Sequence, residues 1–281
     1  MLPTFVIGLR EGVEAALIVG IIAAFLRQEG RSDALRYVWA GVGVAVVLCA
    51  AVGVTLQIVN QDLPQRQQEG LETIVGLAAV GMVTFMIVWM RRNARGLRKE
   101  LERSAAGALA RGSIYALVAM AFFAVLREGL ETAVFLLAAF QSAANPGAAG
   151  AGAVLGLAVA VAIGWGIYKG GVRLNLSKFF RFTAAVLVLV AAGLLASAAH
   201  TAHEAGWLNV LQGQALDLSG LIVPGSVTSS LLTGMLGLQP QPAVAEAVVY
   251  VLYAVPMLVY VLWPQRARPR APAHQPAQEA A

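Results

Sequence analysis

Charge is what this chain has least of. Asp, Glu, Lys and Arg make up 12% of its 281 residues, against 59% hydrophobic residues and a mean hydropathy of +0.73. A soluble domain carries roughly 25% charged residues, because its surface must be covered with polar groups. The shortage excludes a pair of soluble domains and makes lipid the solvent of one membrane domain. Cysteine is scarcer still. Cys49, set in an apolar run, stands alone, so an intrachain disulfide is excluded and a thiol site is not expected. No basic region precedes the first apolar stretch, which itself holds Arg10, Glu11 and Glu14. That makes a poor secretory signal, and the stretch is expected to be retained in the mature protein. A net charge of +5 raises nucleic acid as a partner, but the distribution of the basic residues explains it better.

A spanning helix needs about 20 mostly apolar residues. The candidates are 3–26, 35–59, 68–90, 112–140, 148–168, 179–203 and 243–263, with Asn145-Pro146-Gly147 as the turn between the fourth and fifth. The stretch 205–242 is apolar but interrupted by Gly206, Gly213, Gly220, Pro224, Gly225 and Gly234, and reads as a long outer loop with short interfacial or re-entrant pieces. From Pro264 the chain is rich in Pro, Ala and Arg, and 264–281 is expected to be a disordered cytoplasmic tail. All but three of the 20 Lys and Arg residues (the exceptions are Arg10, Arg66 and Arg127) fall in 27–36, 91–111, 169–181 and the tail. The stretch 200–246 has none. Because Lys and Arg accumulate on the cytoplasmic side, seven spans fit with the N-terminus outside and the C-terminus inside.

The two basic residues within apolar helices belong to a duplicated motif. Helix one reads Leu9-Arg10-Glu11-Gly12-Val13-Glu14, and helix four reads Leu126-Arg127-Glu128-Gly129-Leu130-Glu131. A weaker third copy, Gln68-Glu69-Gly70-Leu71-Glu72, opens helix three with Gln68 in the arginine position. The match between helices one and four implies two three-helix repeats, about 3–90 and 112–203, followed by helix seven at 243–263. An odd number of spans per repeat inverts them in the membrane, a transporter plan with its site at the repeat interface.

Glutamates three residues apart share one helix face. Glu11 lies eight residues in from Pro3, and Glu128 twelve residues short of Phe140. At ~1.5 Å per residue the two pairs come within roughly 6 Å of the same depth, in the outer half of the bilayer. Gly12 and Gly129 supply small surfaces for close helix approach. A charged side chain at the bilayer centre costs about 3 kcal/mol even on the lenient insertion scale. Four converging carboxylates, Glu11, Glu14, Glu128 and Glu131, form a hard oxygen site suited to ferric iron, magnesium, calcium or manganese rather than copper(I). Arg10 and Arg127, four residues before the second glutamate of each pair, are expected to neutralise the empty site and shift as a cation arrives. Structural salt bridges are the alternative for one such motif. Two copies at matching depth favour the site.

A second cluster belongs to the outer side: Glu69 and Glu72 at the start of helix three, His200, His203 and Glu204 at the end of helix six, and Glu246 at the start of helix seven. It reads as a vestibule that concentrates cations, although helix ends carry polar residues anyway and Glu69 and Glu72 also suit a helix N-terminus.

Paired Arg-Glu-Gly-x-Glu motifs in the first and fourth of seven helices, with the N-terminus outside, resemble the oxidase-dependent iron permease family, which includes the fungal high-affinity iron permeases and the bacterial EfeU-type permeases. The resemblance covers about residues 1–263. It implies ferric iron as substrate, a multi-pass plasma or inner membrane location, and Arg10, Glu11, Glu14, Arg127, Glu128 and Glu131 as translocation residues. It also implies an extracytoplasmic oxidase or iron-delivery partner, expected here to be a separate protein. The 205–242 loop has Asp217 as its one acidic residue away from the helix ends, so the bacterial type fits better than the fungal. No cofactor beyond the transported iron is expected, and no catalytic residue. The rivals are a transporter or channel for another hard cation and an intramembrane metalloenzyme. A di-iron bundle would need Glu-x-x-His pairs and a zinc protease His-Glu-x-x-His; His200-Thr201-Ala202-His203-Glu204 is the nearest approach to either.

Overall fold

The computed structural model describes residues 1–28, 30–61, 64–93, 107, 114–143, 145–169, 176–211, 213–215 and 241–263. Among them are seven long α-helices: α1 (Leu2–Gln28), α2 (Leu35–Gln61), α3 (Gln65–Asn93), α4 (Ile114–Gln141), α5 (Pro146–Tyr168), α6 (Leu176–Glu204) and α7 (Val244–Leu262). A 3-10 turn, Ser32–Ala34, leads into α2. One β-bridge, Gln214 to Ala243, ties the start of the α6–α7 connection to its end among the described residues. The 264–281 tail, the middle of the 205–242 loop and most of the basic 91–111 segment lie outside the described residues.

Five helices, α2, α3, α5, α6 and α7, are long and apolar enough to cross a membrane. The other two, α1 and α4, have 27 and 28 residues, about 40 Å at the helical rise. Their composition is interrupted by the three charges that each motif copy carries. Large apolar side chains are exposed where a soluble protein would bury them: Val46, Val47 and Val54 on α2, Val154 and Val161 on α5, Leu252 and Val255 on α7. Such surface is stable only against acyl chains. The protein is a multi-pass membrane protein.

Local signals explain the helix ends. Asn145 takes extended backbone and accepts a hydrogen bond from Ala148 N at 3.0 Å, with Pro146 following at the first helical position, so the turn also nucleates α5. At the end of α6, Gly206 has φ +81°, and the N–H of Trp207 returns to Ala202 O at 2.8 Å. Glycine is needed there because the left-handed turn that closes the helix penalises a Cβ.

Helix pairing follows residue size. Along α5, Ala149, Gly152, Gly156, Ala160 and Gly164 recur at three- or four-residue spacing and are all buried. This stripe receives α1 in parallel. Gly152 lies on the Met1 carbonyl and Thr4, Gly156 on the Phe5 carbonyl, and Gly164 on Ala16. The Thr4 hydroxyl donates to Ala149 O at 2.7 Å. In lipid, where apolar contact alone gives helices little reason to associate, such close backbone approach is what holds them together. The other principal pairs are α2 with α4, α3 with α6 and α6 with α7, while α1 also meets α4. The largest apolar core draws on every helix except α2 among those described.

Candidate metal centre where α1 meets α4

The motif of α1 is buried whole. Arg10 and Glu11 are each 1% exposed and Glu14 is 8% exposed. Arg10 divides its guanidinium between the two carboxylates, Nη1 to Glu11 Oε1 at 3.0 Å and Nη2 to Glu14 Oε1 at 3.0 Å. Its Nη1 also points at Met86 Sδ of α3. The copy on α4 is built alike but covered less. Arg127 Nε lies 2.9 Å from Glu131 Oε1 and 3.7 Å from Glu128 Oε1, and its guanidinium sits 5.9 Å from the ring of Trp89 on α3. The Arg127 side chain is 55% exposed, whereas Glu128 is buried.

The two copies converge. One carboxylate oxygen each from Glu11, Glu128 and Glu131 lie within 4.8 Å of one another. Two ionised carboxylates at that distance repel by about 3 kcal/mol at an effective dielectric constant of ~20. Arg10 and Arg127 offset part of that repulsion, and a metal ion among the three oxygens would offset the rest. Hexacoordinate metals with bonds of about 2.0–2.2 Å hold ligand oxygens roughly 3–4.4 Å apart, so a small side-chain rotation or a bridging water closes the set. Glu11 Oε2 and Glu128 Oε2 are buried without a hydrogen-bond partner, as expected of oxygens whose ligand is a cation. Glu14 stands outside the trio, held by Arg10.

Each motif glycine faces a helix that carries no motif. A Cβ on Gly12 would come 2.6 Å from Ala160 Cβ of α5, and one on Gly129 would come 2.5 Å from Cys49 Sγ of α2. The close approaches they permit are α1 to α5 and α4 to α2, not α1 to α4.

Of the expected vestibule residues, four gather. His200 Nδ1 lies 2.9 Å from Glu246 Oε1 and Nε2 lies 3.5 Å from Glu204 Oε1, with Glu69 beside Glu204 and His200. Glu246 is 5% exposed, so this histidine bridges α6 to a buried carboxylate of α7. His203 turns away, its Nδ1 at 2.8 Å from Leu208 O in the chain just past the helix end. Glu72 accepts from Gln68 Nε2 at 3.4 Å and lines a different space. Reasoning from the motif misses Met86 and Trp89, which meet the two arginines from inside an apolar helix. It also misses the small-residue stripe of α5, whose regular spacing was the available signal.

Residues 1–267 match the family described as Iron permease FTR1 family. "Ferrous iron permease EfeU" of Yersinia pestis is 45% identical over 268 residues, covering 95% of either chain. The protein of the same name from Yersinia pseudotuberculosis serotype I (strain IP32953) is 45% identical over 264 residues, 93% of this chain and 92% of the relative. That of Escherichia coli O157:H7 is 43% identical over 269 residues, 95% of this chain and 97% of the relative. These relatives are named as permeases, not enzymes. No solved structure matches. With the family match spanning residues 1–267 and relatives of this identity covering 95% of it, the chain belongs to the iron permease FTR1 family.

Proposed function

We propose that this protein is an inner-membrane iron permease in which ferric iron crosses through the carboxylates of Glu11, Glu128 and Glu131. The observation that carries the reading is the convergence of oxygens from α1 and α4 within 4.8 Å. Glu14 joins when the cation draws Arg10 away from it, and Arg127 swings off Glu131 in the same step. The four glutamates carry two more charges than the two arginines balance, so a multivalent cation is a better guest than a monovalent one. Half-exposed Arg127 would be costly against lipid at mid-helix, by about 3 kcal/mol. It is tolerable if water reaches the α4 side of the site.

The transport plan is seven spans, with the N-terminus outside, the C-terminus inside, and two inverted repeats of three helices followed by α7. The pairing of helices supports it. Exchanging α1 for α4, α2 for α5 and α3 for α6 turns the α1–α5 pair into the α4–α2 pair and leaves α3–α6 and α1–α4 unchanged. The gathered Glu69, His200, Glu204 and Glu246 serve as the outer vestibule. Oxidation or delivery of iron falls to a separate extracytoplasmic partner.

A second reading, ferrous iron as the species that enters, is favoured by the names of the relatives. Hard oxygen donors suit the ferric ion better but bind both. Manganese, calcium and magnesium are the remaining rivals for such a site. Uptake of radioactive iron by cells without their own iron systems tests the reading. Glu11→Ala and Glu131→Ala should each abolish uptake at wild-type membrane abundance, and equal uptake by all three proteins refutes it. Repeating the assay with a ferrous chelator separates the valences: ferric permeation persists and ferrous permeation stops.

A further inference from the structure

Arg127 has two kinds of partner. Its Nε holds Glu131 Oε1 at 2.9 Å and stands 3.7 Å from Glu128 Oε1. Its guanidinium carbon lies 5.9 Å from the centre of the Trp89 ring of α3, at the edge of the roughly 6 Å within which the face of an aromatic ring attracts a cation. Closer seats of this kind occur elsewhere in the protein, with Arg91 4.1 Å from the Tyr260 ring and Arg36 4.7 Å from that of Tyr37. The Arg127 side chain is 55% exposed, so a change of rotamer has room to close the remaining distance. The ring is the fixed member, because Trp89 packs against the largest apolar core.

Arg10 faces a different neighbour on α3. Its guanidinium is buried, shared between Glu11 and Glu14, and set against the thioether of Met86, three residues before Trp89. A thioether is a weak acceptor and offers a cation far less than an indole face does. The difference bears on what the site must do. A cation entering the trio needs the Glu131 oxygens, so the Arg127 guanidinium has to leave them and later return. Arg127 lies halfway along the 28-residue α4, where a guanidinium cast loose toward lipid is costly. An indole face keeps it close to the carboxylates it must regain.

We propose that the indole of Trp89 receives the Arg127 guanidinium while a cation occupies the trio, which makes Trp89 a positioning residue for permeation. The proposal rests on the permeation reading. A seat that tightens only in the loaded state lowers the iron concentration needed to fill the site. The test is radioactive iron uptake into proteoliposomes of the full chain, with Trp39, Trp165, Trp207 and Trp263 replaced by Phe so that Trp89 carries the one indole. Fluorinated tryptophans then withdraw charge from its face stepwise with little change of shape. From no fluorine to three, the half-saturating iron concentration should rise about tenfold, equivalent to ~1.4 kcal/mol, with the maximal rate retained. In the otherwise unaltered chain, Trp89→Phe should shift half-saturation less than Trp89→Leu. Constant half-saturation across the fluorine series, beside an inactive Glu131→Gln, overturns the seat alone. So does a fall in maximal rate without a shift in half-saturation, which would give Trp89 a structural role. Should the single-tryptophan chain fail to transport, equal shifts in Trp89→Phe and Trp89→Leu overturn the seat. Full transport by Glu131→Gln would overturn the permeation reading and the seat with it.

Discussion

Arg10 and Arg127 occupy the same position of the same motif, yet their removal should differ severalfold in consequence. Arg10 is 1% exposed and is the partner of two carboxylates whose side chains are 1% and 9% exposed. Taking one member from a buried ion pair strands the other, at a cost of about 3–5 kcal/mol. Arg127 is 55% exposed. Solvent screening brings its pair toward the exposed range, at most about 1 kcal/mol. Arg10→Met should therefore cost at least ~2 kcal/mol more than Arg127→Met, roughly a 30-fold difference in the ratio of folded to unfolded protein. Denaturation midpoints of the purified proteins in one detergent report it. Adding Glu14→Gln to Arg10→Met should restore part of the loss, because removing both members of a buried pair is often close to neutral. A double-mutant cycle over the two positions should then give a coupling above ~0.5 kcal/mol. Equal midpoints for the two arginine variants, or a cycle that closes at zero, would refute the argument that burial sets the difference.

The sequence carries that asymmetry nowhere in the motif itself, since the six residues of the two copies differ in one position, Val13 against Leu130. It arises from what faces each arginine. Met86 and the buried carboxylates enclose one, while the ring of Trp89 backs the other on a single side. Helices were legible because an apolar run of spanning length has few other options, and the ends of the observed helices lie within three residues of the ends of those runs. The meeting of Glu11 with Glu128 and Glu131 was legible from duplication and depth. Helix neighbours were not legible from the motif. Its glycines promise close helix approach without naming the partner; small residues on α5 and Cys49 on α2 sit opposite them, and only a search for small residues three or four apart would have found the α5 stripe. His203 was misleading for a local reason. Three residues after His200 it shares a helix face, but the left-handed turn at Gly206 brings the Leu208 carbonyl back onto it. It ties down the helix end instead of joining Glu246.

Two further outcomes follow from the packing. His200→Ala leaves the Glu246 carboxylate buried without its partner at 2.9 Å, which should lower the denaturation midpoint by the equivalent of about 1–3 kcal/mol; Glu246→Gln in the same background should lessen the loss, and no change in either protein would remove this tie between α6 and α7. The motif glycine on α4 and the stripe glycine on α5 differ in what opposes them, and that difference decides whether a second substitution can compensate. A Cβ at position 129 meets the Cys49 side chain, whereas a Cβ at position 156 meets the carbonyl oxygen and carbon of Phe5. Overpacking costs about 1–3 kcal/mol in either place, so Gly129→Ala and Gly156→Ala should both lower the midpoint. Cys49→Ala takes away the obstructing sulfur and should recover most of the loss in Gly129→Ala. Phe5→Ala leaves the carbonyl where it was and should recover nothing in Gly156→Ala. Recovery by Phe5→Ala would mean that α1 and α5 are held apart by side chains, and the backbone contact that defines this pair would have to be abandoned.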